Sequence, residues 1–171
     1  MVTGGSNGLG KHITCALAKE GCHVSICARG KQRLDSTEAE LKTLGVKVLT
    51  SVADVTVETD AEDFYNRTVS KLGAPDILVN NVGGRRGSTQ IEETTMETFM
   101  DGLNVNLISA VRLINLVLPD MRKNRWGRII NIASVYGREY GGSSDYMTGK
   151  AGLIAFSKHI ALQLVPENVL V

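Results

Sequence analysis

Short apolar runs alternate along this chain with longer stretches in which apolar residues recur among charges at helical spacing. The runs His23 to Ala28, Val46 to Ser51, Ile77 to Val79 and Arg128 to Ala133 read as strands, because short aliphatic and β-branched segments suit a sheet covered on both faces. Between the first two, Lys31 to Leu44 sets Leu34, Leu41 and Leu44 among charges, the pattern of an amphipathic helix that Gly45 stops. Helices are also predicted over Gly8 to Glu20, Val57 to Leu72, Thr95 to Lys123 and Asp145 to Val165, the last closed by Pro166. Gly73-Ala74-Pro75 marks a turn, and Gly83 to Ser88 and Gly141 to Ser144 read as loops.

Strands separated by helices of this length imply right-handed βαβ units, hence an α/β fold with a parallel sheet between two helical layers. Ligands bind such sheets outside the carboxyl ends of the strands. The glycine loop Thr3 to Gly10, the segment Asn80 to Gly83, and Ser134 all follow strands, so the pattern predicts one composite site.

Composition narrows the field. With 171 residues, 43% hydrophobic and 22% charged, the chain has the make-up of one globular domain. A formal charge of +1 gives no electrostatic reason to expect nucleic acid. Uninterrupted apolar runs are shorter than the roughly 18 residues of a membrane span, so no membrane partner and a cytoplasmic location are expected. Cys15, Cys22 and Cys27 lack metal-ligand spacing and His12, His23 and His159 are scattered, so no metal site is expected.

The chemistry concentrates in Tyr146 and Lys150. Residues four apart on a helix share a face, with Cβ atoms about 5–6 Å apart. An ammonium held beside a phenol favours the ionised phenol, which suits proton exchange near neutral pH. Glycines at 4, 8 and 10 let backbone approach a pyrophosphate at a helix N-terminus. A P-loop reading of Gly5 to Lys11 fails at His12, where Ser or Thr would ligate magnesium.

Taken in order, Thr3-Gly4-x-x-x-Gly8-x-Gly10, Asp54-Val55, Asn80-Asn81-Val82-Gly83, Asn106, Ser134 and Tyr146 with Lys150 resemble the classical short-chain dehydrogenase/reductase family over essentially the whole chain. The resemblance implies a Rossmann-like doubly wound parallel sheet and hydride exchange between a nicotinamide cofactor and a carbonyl or secondary alcohol. It implies Tyr146 as proton donor and acceptor, Ser134 as a hydrogen-bond partner of the substrate oxygen, and Lys150 as assistant to the tyrosine and holder of the nicotinamide ribose. Asn106 would interrupt its helix and hold a water, with Asn104 facing elsewhere.

For the cofactor, the resemblance implies contacts from Thr3, Gly4, Ser6, Asn7, Gly8, Leu9 and Gly10, with Asp54 and Val55 at the adenine. Asn80, Val82 and Gly83 would line the adenosine side, and Val82 stands where alanine is usual. The second strand ends Cys27-Ala28-Arg29-Gly30, with no acid for the ribose hydroxyls of NAD and with Arg29 available to a 2′-phosphate. NADP is therefore favoured over NAD, although Asn7 stands where many NADP-preferring relatives carry a basic residue.

Substrate signals are fewer. Arg122, Lys123, Arg125 and Arg128 resemble the basic patch with which 3-oxoacyl carrier-protein reductases meet their acidic partner, and equally suit helix capping and solubility. Arg85 and Arg86, after the fourth strand, are placed either to greet an anionic substrate or to face solvent. A 3-oxoacyl thioester reductase, a sugar or polyol dehydrogenase, and a silent nucleotide-binding fragment are the readings carried forward. The chain is expected to form one dinucleotide-binding and catalytic domain over 1–171. Set against the family, it lacks most of the first strand, the Pro-Gly segment, the substrate-covering helices and the last strand. A homo-oligomer built on the two long helices is expected by the same analogy.

Overall fold

A computed structural model describes residues 1–171. Six parallel strands lie in the order β3-β2-β1-β4-β5-β6. They are β1 (Val2–Thr3), β2 (Val24–Ala28), β3 (Val48–Val52), β4 (Ile77–Asn80), β5 (Gly127–Asn131) and β6 (Val169–Leu170). The helices are α1 (Gly8–Lys19), α2 (Lys31–Lys42), α3 (Glu58–Leu72), α4 (Met96–Leu103), α5 (Ser109–Asn124) and α6 (Ser144–Leu164). The order reverses between β1 and β4, the doubly wound arrangement that opens a crevice at the carboxyl edge.

Strand alternation builds two cores. Ile26 and Val79 join Val2, Leu34 and Leu41 on one face, while their neighbours Cys27 and Leu78 join Phe64, Leu113, Val117 and Ile129 on the other. Because successive strand residues face opposite ways, a sheet covered on both sides needs the uninterrupted apolar runs seen in the sequence. The short β1 is fixed from both sides, with Thr3 paired to Cys27 of β2 and Val2 to Val79 of β4.

The long helix departs from its periodic pattern around Asn106, where the family resemblance implies an interruption. The helix predicted from Thr95 to Lys123 is α4, a π-helical turn over Asn104–Ile108, and α5. The side chain of Asn106 donates to the Gly102 carbonyl at 2.9 Å, competing for the acceptor that an α-helix gives to the N–H of residue 106. The Ser109 N–H then bonds five residues back, to Asn104. Met96–Asn124 is also long and apolar enough, by length and composition, to cross a membrane. Polar residues and Arg112 interrupt its apolar positions, and its Leu113, Ile114, Val117 and Met121 are packed in the core.

Candidate active site

Register brings the strand ends together. Thr3 pairs with Cys27, Ala28 with Val52, and Asn80 with Asn131, so the glycine loop, Arg29, Asp54, Asn81 to Gly83 and Ser134 all emerge at one edge of the sheet. On one side of the Gly83 segment lies a cleft of about 340 Å³, lined by Gly4, Asn7, Arg29, Asp54, Val55, Thr56, Asn81, Val82, Gly83 and Arg86 among others. On the other lies a cleft of about 390 Å³ shared by Ser134, Tyr136, Tyr146, Gly84 and Arg85.

Between the clefts two polar side chains converge. A Cβ placed on Gly83 would lie 2.8 Å from Lys150 Nζ and 3.0 Å from Asn106 Oδ1. The Lys150 ammonium donates to the Ile132 carbonyl at 2.6 Å and lies 5.9 Å from the centre of the Tyr146 ring. Burial lowers its pKa to about 8, since little around it replaces the water that solvates an ammonium. Asn106 is 1% exposed. Its amide donates to the Gly84 carbonyl at 2.8 Å and accepts from the Gly84 N–H at 3.0 Å. Asn104 instead donates to the Thr56 carbonyl at 3.2 Å, away from this junction. Ser134 Oγ accepts from the Tyr136 N–H at 3.2 Å, capping the short 3-10 turn Val135–Gly137.

The glycine loop divides into a wall and its support. Gly8 has φ +51°, and a Cβ there would meet nothing within 4 Å, so the start of α1 is open to an incoming anion. Asn7, Gly8 and Leu9 are exposed around that opening. Thr3, Ser6, Gly10 and Asn80 lie behind it, buried. The Thr3 hydroxyl accepts from the N–H groups of Asn81 and Val82 at 3.0 and 3.1 Å. Asn80 donates to Asn131 at 2.9 Å within the sheet. At the far end of the cleft Arg29 stands 3.7 Å from Asp54, its side chain 73% exposed. Burial raises the Asp54 pKa, but hydrogen bonds from the Thr56 hydroxyl and N–H, with the Arg29 and Arg86 charges, bring it below the usual range. A phosphate-accepting helix start, a cradle left open by glycine and a carboxylate at the far end fit a dinucleotide.

Three contributors lay outside the expected contacts. Asn81 donates to the Thr3 carbonyl at 2.9 Å and ties β4 to the glycine loop. Thr56 lines the dinucleotide cleft. Asp145, beside Tyr146, is fully buried and accepts from the Arg86 N–H at 2.9 Å. A carboxylate at the start of an apolar helix was its only signal, and helix capping explains that signal as well. Arg122, Lys123, Arg125 and Arg128 sit at the amino end of β5, opposite Ser134. Arg122 pairs with Glu167 at 2.7 Å, Arg125 donates to the Pro166 carbonyl and Arg128 to that of Asn168. Those three side chains fasten the β6 segment rather than border either cleft.

The family model described as short chain dehydrogenase matches residues 1–171. The chain is 35% identical over 171 residues to a 3-oxoacyl acyl-carrier-protein reductase of Thermotoga maritima, covering 99% of this chain and 69% of that protein. Among solved structures, L-sorbose reductase from Gluconobacter frateurii complexed with NADPH and L-sorbose superposes with TM-score 0.92 at 33% identity, covering 98% of this chain and 64% of that one. NAD+-bound xylitol dehydrogenase superposes with TM-score 0.91 at 28% identity, covering 98% and 65%. The chain belongs to the short-chain dehydrogenase family of nicotinamide-dependent oxidoreductases. It spans about two thirds of the length of the curated relatives it matches.

Proposed function

We propose that the protein is an NADP-dependent carbonyl reductase, acting on a 3-oxoacyl thioester or a compound of similar shape. The observation that carries this reading is the junction at Gly83, where Lys150 and Asn106 meet between a dinucleotide cleft and a cleft holding Tyr146 and Ser134.

The chemistry that a nicotinamide dinucleotide brings is hydride transfer to or from a carbonyl carbon. The chain's own groups manage the oxygen. Tyr146 gives its phenolic proton to the developing alkoxide in reduction and takes it back in oxidation. Ser134 donates a hydrogen bond to the same oxygen, worth more in the transition state than in the ground state because charge develops there. Lys150 places a positive charge beside the phenol and reaches the ribose side of the junction. Asn106 fixes the backbone between the clefts and marks where a relay water would bind. Gly4 and Asn7 to Leu9 form the phosphate seat, with Thr3, Ser6, Gly10 and Asn80 as its scaffold. Val82 and Gly83 form the middle of the wall, Asp54 and Val55 the adenine end. Arg29, mostly exposed at the lip and loosely paired with Asp54, receives the 2′-phosphate.

A sugar or polyol substrate is the second reading, supported by the likeness to L-sorbose reductase. Oxidation of NADPH by an acetoacetyl thioester, compared with a panel of ketoses, separates the two. Turnover of the thioester at least tenfold above any ketose supports the first, and the reverse order supports the second. A homo-oligomer is proposed on α4 and the π turn, where Met96, Met100 and Ile108 are exposed.

A further inference from the structure

The second cleft carries a charge that the reaction itself does not require. Among the residues lining it, Arg85 alone is charged. Its side chain is exposed, forms no ion pair and donates no hydrogen bond within the chain. Arg86, next to it, is committed elsewhere, pairing with Asp101 at 2.9 Å and lining the dinucleotide cleft.

The backbone on either side of Arg85 is held by buried side chains. Asn106 brackets Gly84 with hydrogen bonds of 3.0 and 2.8 Å. Asp145 accepts from the Arg86 N–H at 2.9 Å. Both restraints come from elements that also carry the junction, since Asn106 lies in the π turn and Asp145 precedes Tyr146 in α6. The α-carbon of Arg85 is therefore fixed relative to Tyr146 while its guanidinium stays unpaired, an arrangement that leaves a forked donor over the substrate space.

We propose that Arg85 binds an anionic group of the substrate, so that the preferred carbonyl compound carries a carboxylate or phosphate within an arginine's reach of the reacting oxygen. This rests on the reductase reading above and narrows its substrate class. Guanidinium pairs with carboxylates and phosphates through two parallel hydrogen bonds, which fixes orientation as well as affinity.

Three substrates sharing one acetonyl group test it: acetoacetate, acetonylphosphonate and the neutral N-acetylcysteamine thioester of acetoacetate. In Arg85→Gln, kcat/KM is expected to fall about tenfold or more for an anionic substrate and to stay within about twofold for the neutral thioester, the scale of one charge-assisted pair. A fall confined to acetoacetate identifies a carboxylate, and one confined to acetonylphosphonate identifies a phosphate-like dianion. Arg85→Lys should recover part of the preference. Calorimetric binding of acetoacetate and of acetonylphosphonate to the NADP-loaded protein supplies a readout free of turnover, in which Arg85→Gln should weaken at least one of them about tenfold. Binding that depends on Arg85 without any turnover defeats the reductase reading and leaves this one standing. Equal losses on charged and neutral substrates, or unchanged preference and unchanged binding of both anions, overturn it.

Discussion

The side-chain amide of Asn106 holds Gly84 at both polar atoms, accepting from its N–H at 3.0 Å and donating to its carbonyl at 2.8 Å. The same residue donates to Gly102 and sits in the π turn, so helix register and the wall between the two clefts are set by one side chain. Single π turns inside helices mark functional sites often, and here the widened turn brings the amide to the junction. Asn106→Ala leaves the Gly84 groups without their partner and should destabilise the protein by about 2 kcal/mol. Urea unfolding checks this. A loss below about half that figure would mean that water replaces the amide without cost.

Gly8 and Gly10 separate binding from folding. A Cβ on Gly10 would run into the Gly4 carbonyl and the Asn81 amide, whereas one on Gly8 would stand in open space at φ +51°. Gly10→Ala should therefore cost about 1–3 kcal/mol of stability, as overpacking does. Gly8→Ala should cost about 1 kcal/mol for its left-handed backbone while weakening NADPH binding about tenfold or more, because the added methyl stands where the pyrophosphate approaches. Thermal unfolding and fluorescence titration read the two effects separately, and an exchange of the two phenotypes would contradict the assignment.

Lys150 makes stability depend on pH. Burial lowers its folded pKa to about 8, against an ordinary 10.5, so between those values the unfolded chain binds a proton that the folded chain does not. Stability contributed by this site therefore rises with pH across that window, by on the order of 3 kcal/mol in the cofactor-free protein. Below about pH 8 both states are protonated and the buried ammonium carries its full desolvation cost. Lys150→Met should be the more stable protein at pH 7, with its lead shrinking as pH rises toward 10. Paired urea titrations at the two pH values check the trend, and a lead that stays constant would show that the ammonium is well solvated.

Arg29 should decide the cofactor. Its guanidinium is mostly exposed and its nearest carboxylate, on Asp54, lies 3.7 Å away, too exposed a pair to restrain it strongly. Arg29→Asp should move the ratio of kcat/KM for NADPH over NADH toward NADH by about tenfold or more, since a phosphate contact is replaced by a repulsion. An unchanged ratio would place phosphate recognition elsewhere.

The sheet was legible in the sequence because both of its faces are covered, which forces continuous apolar strands at Val24–Ala28 and Ile77–Asn80 and amphipathic helices between them. The π turn left no periodic trace, because it depends on a side-chain contact between Asn106 and Gly102, and only the family resemblance pointed to an interruption at Asn106. Tyr146, Lys150 and Ser134 could be picked out because their order and spacing form a pattern, and the fold brings Tyr146 and Ser134 into one cleft. The division of the glycine loop into an exposed lip and a buried scaffold was hidden, since Thr3 and Asn80 look as polar in sequence as Asn7 does. The basic residues from Arg122 to Arg128 could be read two ways, and charge in a sequence does not reveal that Arg125 and Arg128 bond the backbone carbonyls of Pro166 and Asn168.

The most direct test is the rate of NADPH oxidation with an acetoacetyl thioester by the protein and by Tyr146→Phe, at equal cofactor saturation. Loss of the phenolic hydroxyl removes the proton donor and should lower kcat by about 10²–10⁴-fold, with NADPH binding unchanged. Equal rates in the two proteins would contradict the assignment of Tyr146 and, with it, the reaction proposed for this site.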